Sequence, residues 1–159
     1  MVAVSQDWPV AELDPVRRMR VIAASTPGVG YAEKLIPAPF DAVWDTASDL
    51  EREFPGLLTD VRSFEITSAR GERMTARARG WLGQRARFDV VLRPGWCVMQ
   101  SRFLIGGMAA APEGDGTRFA FLGGLRLPGL RLIDPLLRPP ARTLALRPIG
   151  RLEDRVRAR

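Results

Sequence analysis

Few side chains in this chain could carry out acid–base or nucleophilic chemistry. The 159 residues include no histidine, one cysteine (Cys97) and one lysine (Lys34). These absences exclude a Ser-His-Asp triad, a Cys-His dyad and the usual histidine and cysteine ligand sets of zinc. A Schiff base has one weak candidate in Lys34. Cys97 has no histidine to activate it and is most simply a small buried hydrophobic residue. No metal and no cofactor is predicted.

The remaining candidates for catalysis are Tyr31, Asp89 and Arg102. Tyr31 is the only tyrosine, and Asp89 and Glu65 are carboxylates in predicted strands. Such a carboxylate acts as a base only if burial raises its pKa toward neutrality. Arg102 could hold a carboxylate or enolate oxygen if it pointed inward. Each residue also fits a surface or structural role, so both interpretations stay open.

Alternating strands in the middle of the chain separate arginines from small and apolar residues. Arg77, Arg79, Arg85 and Arg87 fall on one face, which is typical of the solvated side of a sheet. A register shift of one residue would turn them inward instead. The opposite face fits either ordinary core packing or the lining of a ligand pocket. Its members are Met74, Ala76, Ala78, Phe88, Met99, Ser101, Phe103, Phe119 and Phe121.

The strands and helices that must position these residues are predicted from residues 31–55 onward. Residues 31–36 predict a strand, which Pro37 and Pro39 end, and Phe40, Val43 and Trp44 then recur at helical spacing. Six strands follow in close succession, which indicates an antiparallel meander. Two of them are predicted at 96–104 and 108–112, separated by a bend at residues 106–107.

Residues 1–30 and the end of the chain frame this sheet. A polar stretch with Trp8 leads to Asp14-Pro15, which predicts the start of a short helix with its apolar stripe at Val16, Met19, Ile22 and Ala23. In the tail, apolar residues have helical spacing but prolines interrupt them. Because a proline inside a helix costs about 3 kcal/mol, we expect two or three helical pieces rather than one long helix.

Two further stretches stand out, IPAPFDAVWDTASDLE at residues 36–51 and GDGTRF at residues 114–119. Together they resemble the START-like polyketide cyclase/dehydrase branch of the SRPBCC superfamily. The resemblance implies an α+β helix-grip fold, in which a seven-stranded antiparallel curved sheet wraps around a C-terminal helix. The domain would span residues 31–159, and residues 1–30 would form an N-terminal extension with a short helix.

The resemblance also implies a cavity between sheet and helix, since such proteins bind lipids, polyketides or similar apolar molecules. We expect this chain to bind a small hydrophobic molecule there; the alternative is a cyclase or dehydratase that uses the same cavity. The family shares no single catalytic motif, so no catalytic residues are carried over.

The excess positive charge lies at the C-terminal end. Residues 126–159 hold nine arginines and three acidic residues, which leaves +6, the net charge of the whole chain. The arginines fit a solvated helix face or a surface that meets anionic membrane. Nucleic acid is disfavoured because no binding motif is recognised. With one cysteine and no apolar run of about 18 residues, we expect a cytoplasmic protein.

Overall fold

The computed structural model describes residues 13–159 and shows one antiparallel sheet with helices on both of its faces. The predicted polar stretch with Trp8 lies outside these residues. The elements, in chain order, are α1 (Pro15–Ser25), β1 (Val29–Ile36), α2 (Phe40–Ala47), α3 (Phe54–Leu57), β2 (Val61–Arg70), β3 (Arg73–Gly80), β4 (Arg85–Arg93), β5 (Trp96–Gln100), β6 (Leu104–Glu113), β7 (Gly116–Leu125), a 3-10 turn (Leu130–Leu132) and α4 (Asp134–Arg157).

The seven strands follow the order β1-β7-β6-β5-β4-β3-β2, and every pair is antiparallel. Strands β2 to β7 form the predicted meander, and β1 pairs with the last strand. Gly71 and Gly114 adopt positive φ in two of the hairpin turns, a conformation that costs glycine little. Helix α4 packs along β1 and β7 and against α2 and α3. The predicted helix-grip fold is confirmed.

We call the face of the sheet toward α4 the inner face and the opposite one the outer face. The main core lies on the inner face, where α2 contributes Val43 and Trp44 and α4 contributes Ile149 and Leu152. A smaller core on the outer face includes Val16 and Met19 of α1. These residues belong to the apolar stripe that was predicted for this helix. The Asp14 carboxylate accepts a hydrogen bond from the Arg17 amide at 3.0 Å, so Asp14 is the predicted N-cap.

The predicted bend at Gly106-Gly107 is wrong, because β6 continues through both residues. Gly106 is paired with Gly123, and Gly107 with Leu122. A Cβ on Gly107 would lie 2.9 Å from the Met19 sulfur, so the glycine allows α1 to approach the outer face. Gly107 therefore serves packing, and the turn occurs earlier, at residues 101–103.

The prediction of a broken C-terminal helix is also wrong. Helix α4 runs for 24 residues with Pro139, Pro140 and Pro148 inside it. The burial of Ala145, Ile149 and Leu152 against the sheet offsets the lost hydrogen bonds. Pro148 is itself buried and contributes to that packing. Tertiary contacts thus outweigh the low helix propensity of this segment.

Candidate functional site

The inner face holds most of the predicted pocket-lining residues. Those from β3, β4, β5 and β7 belong to the main core or pack against it: Met74, Ala76, Ala78, Phe88, Met99, Phe119 and Phe121. Ser101 and Phe103 differ because β5 ends at Gln100, and the turn interrupts the alternation that would place them inside. The Ser101 hydroxyl accepts a hydrogen bond from the Leu104 amide at 3.0 Å, and Phe103 is 51% exposed.

Helix α4 is held closely to β1 at one side of this face. A Cβ on Gly30 would lie 2.2 Å from the carbonyl oxygen of Ala141, so strand and helix backbones are in direct contact. Lys34 of β1 forms an ion pair with Glu153 of α4. Near the C-terminal end, Arg155 pairs with Glu53, which precedes α3. These contacts fix the position of the helix over β1.

The inner faces of β3, β4 and β5 lie farther from α4 than those of β1 and β7. Small residues, Ala76 and Ala78, occupy the inner face of β3. Phe64 of β2 extends over this region and contacts Phe88 of β4, with ring centroids 6.0 Å apart. Met99 adds a flexible side chain from β5. This wall therefore combines small and adaptable residues, the side chains that allow a core to accommodate a guest.

Polar groups are few on the inner face. Cys97 is fully buried, and burial raises the pKa of its thiol to about 12, so it stays protonated near neutral pH. Thr117 is buried, and its hydroxyl donates to the Ala38 carbonyl oxygen at 2.8 Å. Within residues 13–159, no buried side-chain nitrogen or oxygen lacks a hydrogen-bond partner.

Two of the three catalytic candidates point to the outer face. Tyr31 is paired with Leu122 of the outer core, and Asp89 is exposed between buried Phe88 and Val90. Their strands are separated by β7, β6 and β5, which places the two strands roughly 19 Å apart along the sheet. Arg102 is exposed in the β5–β6 turn, with its guanidinium 5.1 Å from the Phe103 ring centre. The structure does not bring these three side chains together.

The Tyr31 hydroxyl takes part in a network that sequence reasoning missed. It donates to the Glu33 carboxylate at 2.6 Å, and Arg20 of α1 binds the same carboxylate with two hydrogen bonds of 2.6 and 2.7 Å. Arg20 holds the pKa of Glu33 below its usual range. Burial, reinforced by the bond to Glu33, raises the pKa of Tyr31. This network attaches α1 to the sheet, and the alternation of Tyr31 and Glu33 in one strand was its only sequence signal.

The outer face also carries two surface cavities. One, of about 420 Å³, lies over β2 to β5 and is lined by Ser68, Arg70, Arg73, Met74, Thr75, Asp89, Val90, Val91, Val98 and Gln100. The other, of about 340 Å³, lies beside α1 and includes Arg17, Arg20, Glu113 and Arg118.

The β3 and β4 arginines predicted to face solvent, Arg77, Arg79, Arg85 and Arg87, are exposed.

In the described part of the chain, no helix is both long enough and apolar enough to span a membrane.

No family model matches this sequence, and no curated protein matches it either. Solved structures do match. A protein from Thermus thermophilus is 25% identical, with a TM-score of 0.60 over 82% of this chain and 97% of that one. A START superfamily protein from Mycobacterium smegmatis is 15% identical, with a TM-score of 0.57 over 82% and 98%. The Zhui aromatase/cyclase from Streptomyces sp. R1128 is 14% identical, with a TM-score of 0.57 over 82% and 94%.

These similarities confirm the predicted resemblance at the level of fold. The chain shares its fold with these solved structures, among them a START superfamily protein and an aromatase/cyclase.

Proposed function

We propose that this chain binds a small apolar molecule between α4 and the inner face of β3 to β5. The observation that carries the proposal is the position of the helix, which lies along β1 and β7 and farther from β3, β4 and β5. Ala76 and Ala78 are small side chains of the main core, and Met99 of the same core can change its conformation. A ligand could therefore enter by displacing side chains without moving the sheet.

The chemistry of the inner face supports an apolar ligand. A strongly polar guest would need buried donors or acceptors, and every buried side-chain polar atom among residues 13–159 already has a partner. A guest of about 25 heavy atoms that gains roughly 0.3 kcal/mol per atom would reach micromolar affinity from packing alone.

The same inventory favours binding over catalysis. A cyclase or dehydratase needs a group that exchanges protons near neutral pH. Burial keeps the pKa of the Cys97 thiol at about 12, and Tyr31 and Asp89 face the opposite side of the sheet. Among the residues that the structure describes, the inner face thus offers little for acid–base chemistry. An aromatase/cyclase among the similar structures adds support for the fold alone.

Two measurements test the proposal. Native mass spectrometry of the purified chain should detect a bound apolar molecule that dissociates on unfolding. The neutral dye Nile red should bind and compete with that molecule. Ala78→Leu, on the inner face of β3, should weaken dye binding at least tenfold. Arg79→Leu adds the same side chain to the outer face and should leave it unchanged.

Thermal unfolding followed by circular dichroism must show that both variants remain folded. Equal dye binding by the two variants, or no bound molecule and no dye uptake by the unmodified chain, would refute a site on the inner face. Turnover of the co-purified molecule, lost in Ala78→Leu, would favour the enzyme over the carrier.

A further inference from the structure

One end of the sheet gathers three exposed connections. The register pairs Arg79 with Arg85 and Leu104 with Leu125, so the β3–β4 turn, the β5–β6 turn and the β7–α4 connection leave the sheet at the same end. Val61 at the start of β2 pairs with Gly80 and lies there too. We call residues 81–84, 101–103 and 126–133 together the loop end.

Large apolar side chains are exposed at this end. Leu82 is 94% exposed and Trp81 66% in the first turn, and Phe103 is 51% exposed in the second. Leu132 at 88% and Leu136 at 77% follow in the third connection and the start of α4. Of the fourteen exposed large hydrophobic residues in the described chain, eleven lie in the loop end, in Leu125 before it or in α4 as far as residue 146. Exposed apolar side chains that gather in one region are typical of interaction surfaces.

Arginines accompany these apolar tips. The Arg62 guanidinium lies 5.7 Å from the Trp81 ring centre, and Arg102 stacks on Phe103. Arg85 closely follows Leu82 in the sequence, and Arg131 directly precedes Leu132. Among residues 13–159, none of six arginines at this end forms an ion pair: Arg62, Arg79, Arg85, Arg102, Arg126 and Arg131.

The arginines at the far end of α4 are arranged differently. Arg155 and Arg159 pair with Glu53, and Arg157 pairs with Glu153. Residues 126–159 therefore contribute to two surfaces. The last turns of α4 attach this helix to the α2–α3 region. The first part of the segment joins an apolar and basic surface that continues on the hairpin turns.

We propose that the loop end docks onto an anionic lipid bilayer. Separate convex tips of Trp, Leu and Phe fit a deformable interface better than a rigid protein groove, and tryptophan is favoured at the headgroup level. The unpaired arginines complement the negative surface potential of anionic lipids. Docking here needs no occupant of the inner face, so it stands apart from the proposed ligand binding.

Flotation of the purified full-length chain with vesicles tests this surface. The protein should float with phosphatidylcholine vesicles that contain phosphatidylserine and much less with pure phosphatidylcholine. Arg131→Glu should weaken binding at least fivefold, since one arginine near such a surface contributes about that factor. Leu82→Ser should weaken it by at least the same factor, since it removes an apolar side chain that would enter the interface. Leu35→Ser and Arg70→Glu, exposed residues at the opposite end of the sheet, should bind like the unmodified chain.

A second measurement does not depend on the stability of those variants. Brominated lipids should quench the fluorescence of the unmodified chain, and Trp81→Phe should remove that quenching. Raising salt should weaken the binding because the attraction acts within a Debye length. Equal binding to neutral vesicles, no binding to either kind, or quenching that survives Trp81→Phe would overturn the proposal. So would Leu82-dependent dimerisation without vesicle binding, which would assign this surface to a second copy of the chain.

Discussion

Replacing Gly30 by alanine tests whether α4 rests directly on β1. The added Cβ would lie 2.2 Å from the Ala141 carbonyl oxygen and 2.7 Å from its carbon. Both partners are backbone atoms, so a rotamer change cannot relieve the clash and the helix must shift. Overpacking of this kind costs about 1–3 kcal/mol. For a chain of this size we expect the Tm to fall by about 2–12 °C.

Gly150, in α4, provides the matched control. Nothing lies within 4 Å of a Cβ added there, so Gly150→Ala removes only the cost of a helical glycine. That cost is about 0.5–1 kcal/mol, so this variant should melt about 1–4 °C higher. Circular dichroism melts of both variants give the comparison. If Gly30→Ala is as stable as the unmodified chain or more so, the close approach of helix and strand is incorrect.

Two further predictions concern titratable groups. Because the folded pKa of Glu33 is depressed, its contribution to stability is present above the ordinary glutamate range and is lost as the pH falls through the folded pKa. Urea midpoints measured from neutral to acid pH should therefore decline less steeply for Glu33→Gln than for the unmodified chain; parallel curves would contradict the Arg20–Glu33 attachment of α1. Cys97, with its thiol pKa at about 12 and no exposed surface, should not react with a disulfide reagent at neutral pH until denaturant is added. Rapid reaction in the native state would mean that the inner face opens readily.

Sequence reasoning succeeded where a pattern is local. The helix that contains Phe40, Val43 and Trp44 is predicted correctly, because these apolar residues recur at helical spacing. The strand predicted at residues 31–36 ends at Ile36, where Pro37 and Pro39 stop it. These elements could be placed because neighbouring residues alone determine them.

It failed where distant residues decide. The prolines of α4 predict interruptions of the helix, but the burial of its apolar residues against the sheet keeps it continuous. The exposure of Phe103 depends on where β5 stops, and alternation alone does not show this. The contacts of the site are harder to predict. The bond between Arg20 and Glu33 joins α1 to β1, and no sequence motif predicts it. Whether the inner face takes up a ligand stays a prediction.

The pairing of the first strand with the last has a consequence during synthesis. Ile36 pairs with Thr117, which is 81 residues farther along the chain. At about 5–20 residues per second, a ribosome needs on the order of 4–16 s to make that partner. Throughout this interval β1 has no native strand partner, because helices α2 and α3 follow it and β2 belongs at the other edge of the sheet. An unpaired strand in a nascent chain can bind other strands, so we expect truncation before Thr117 to yield a chain that aggregates or binds chaperones.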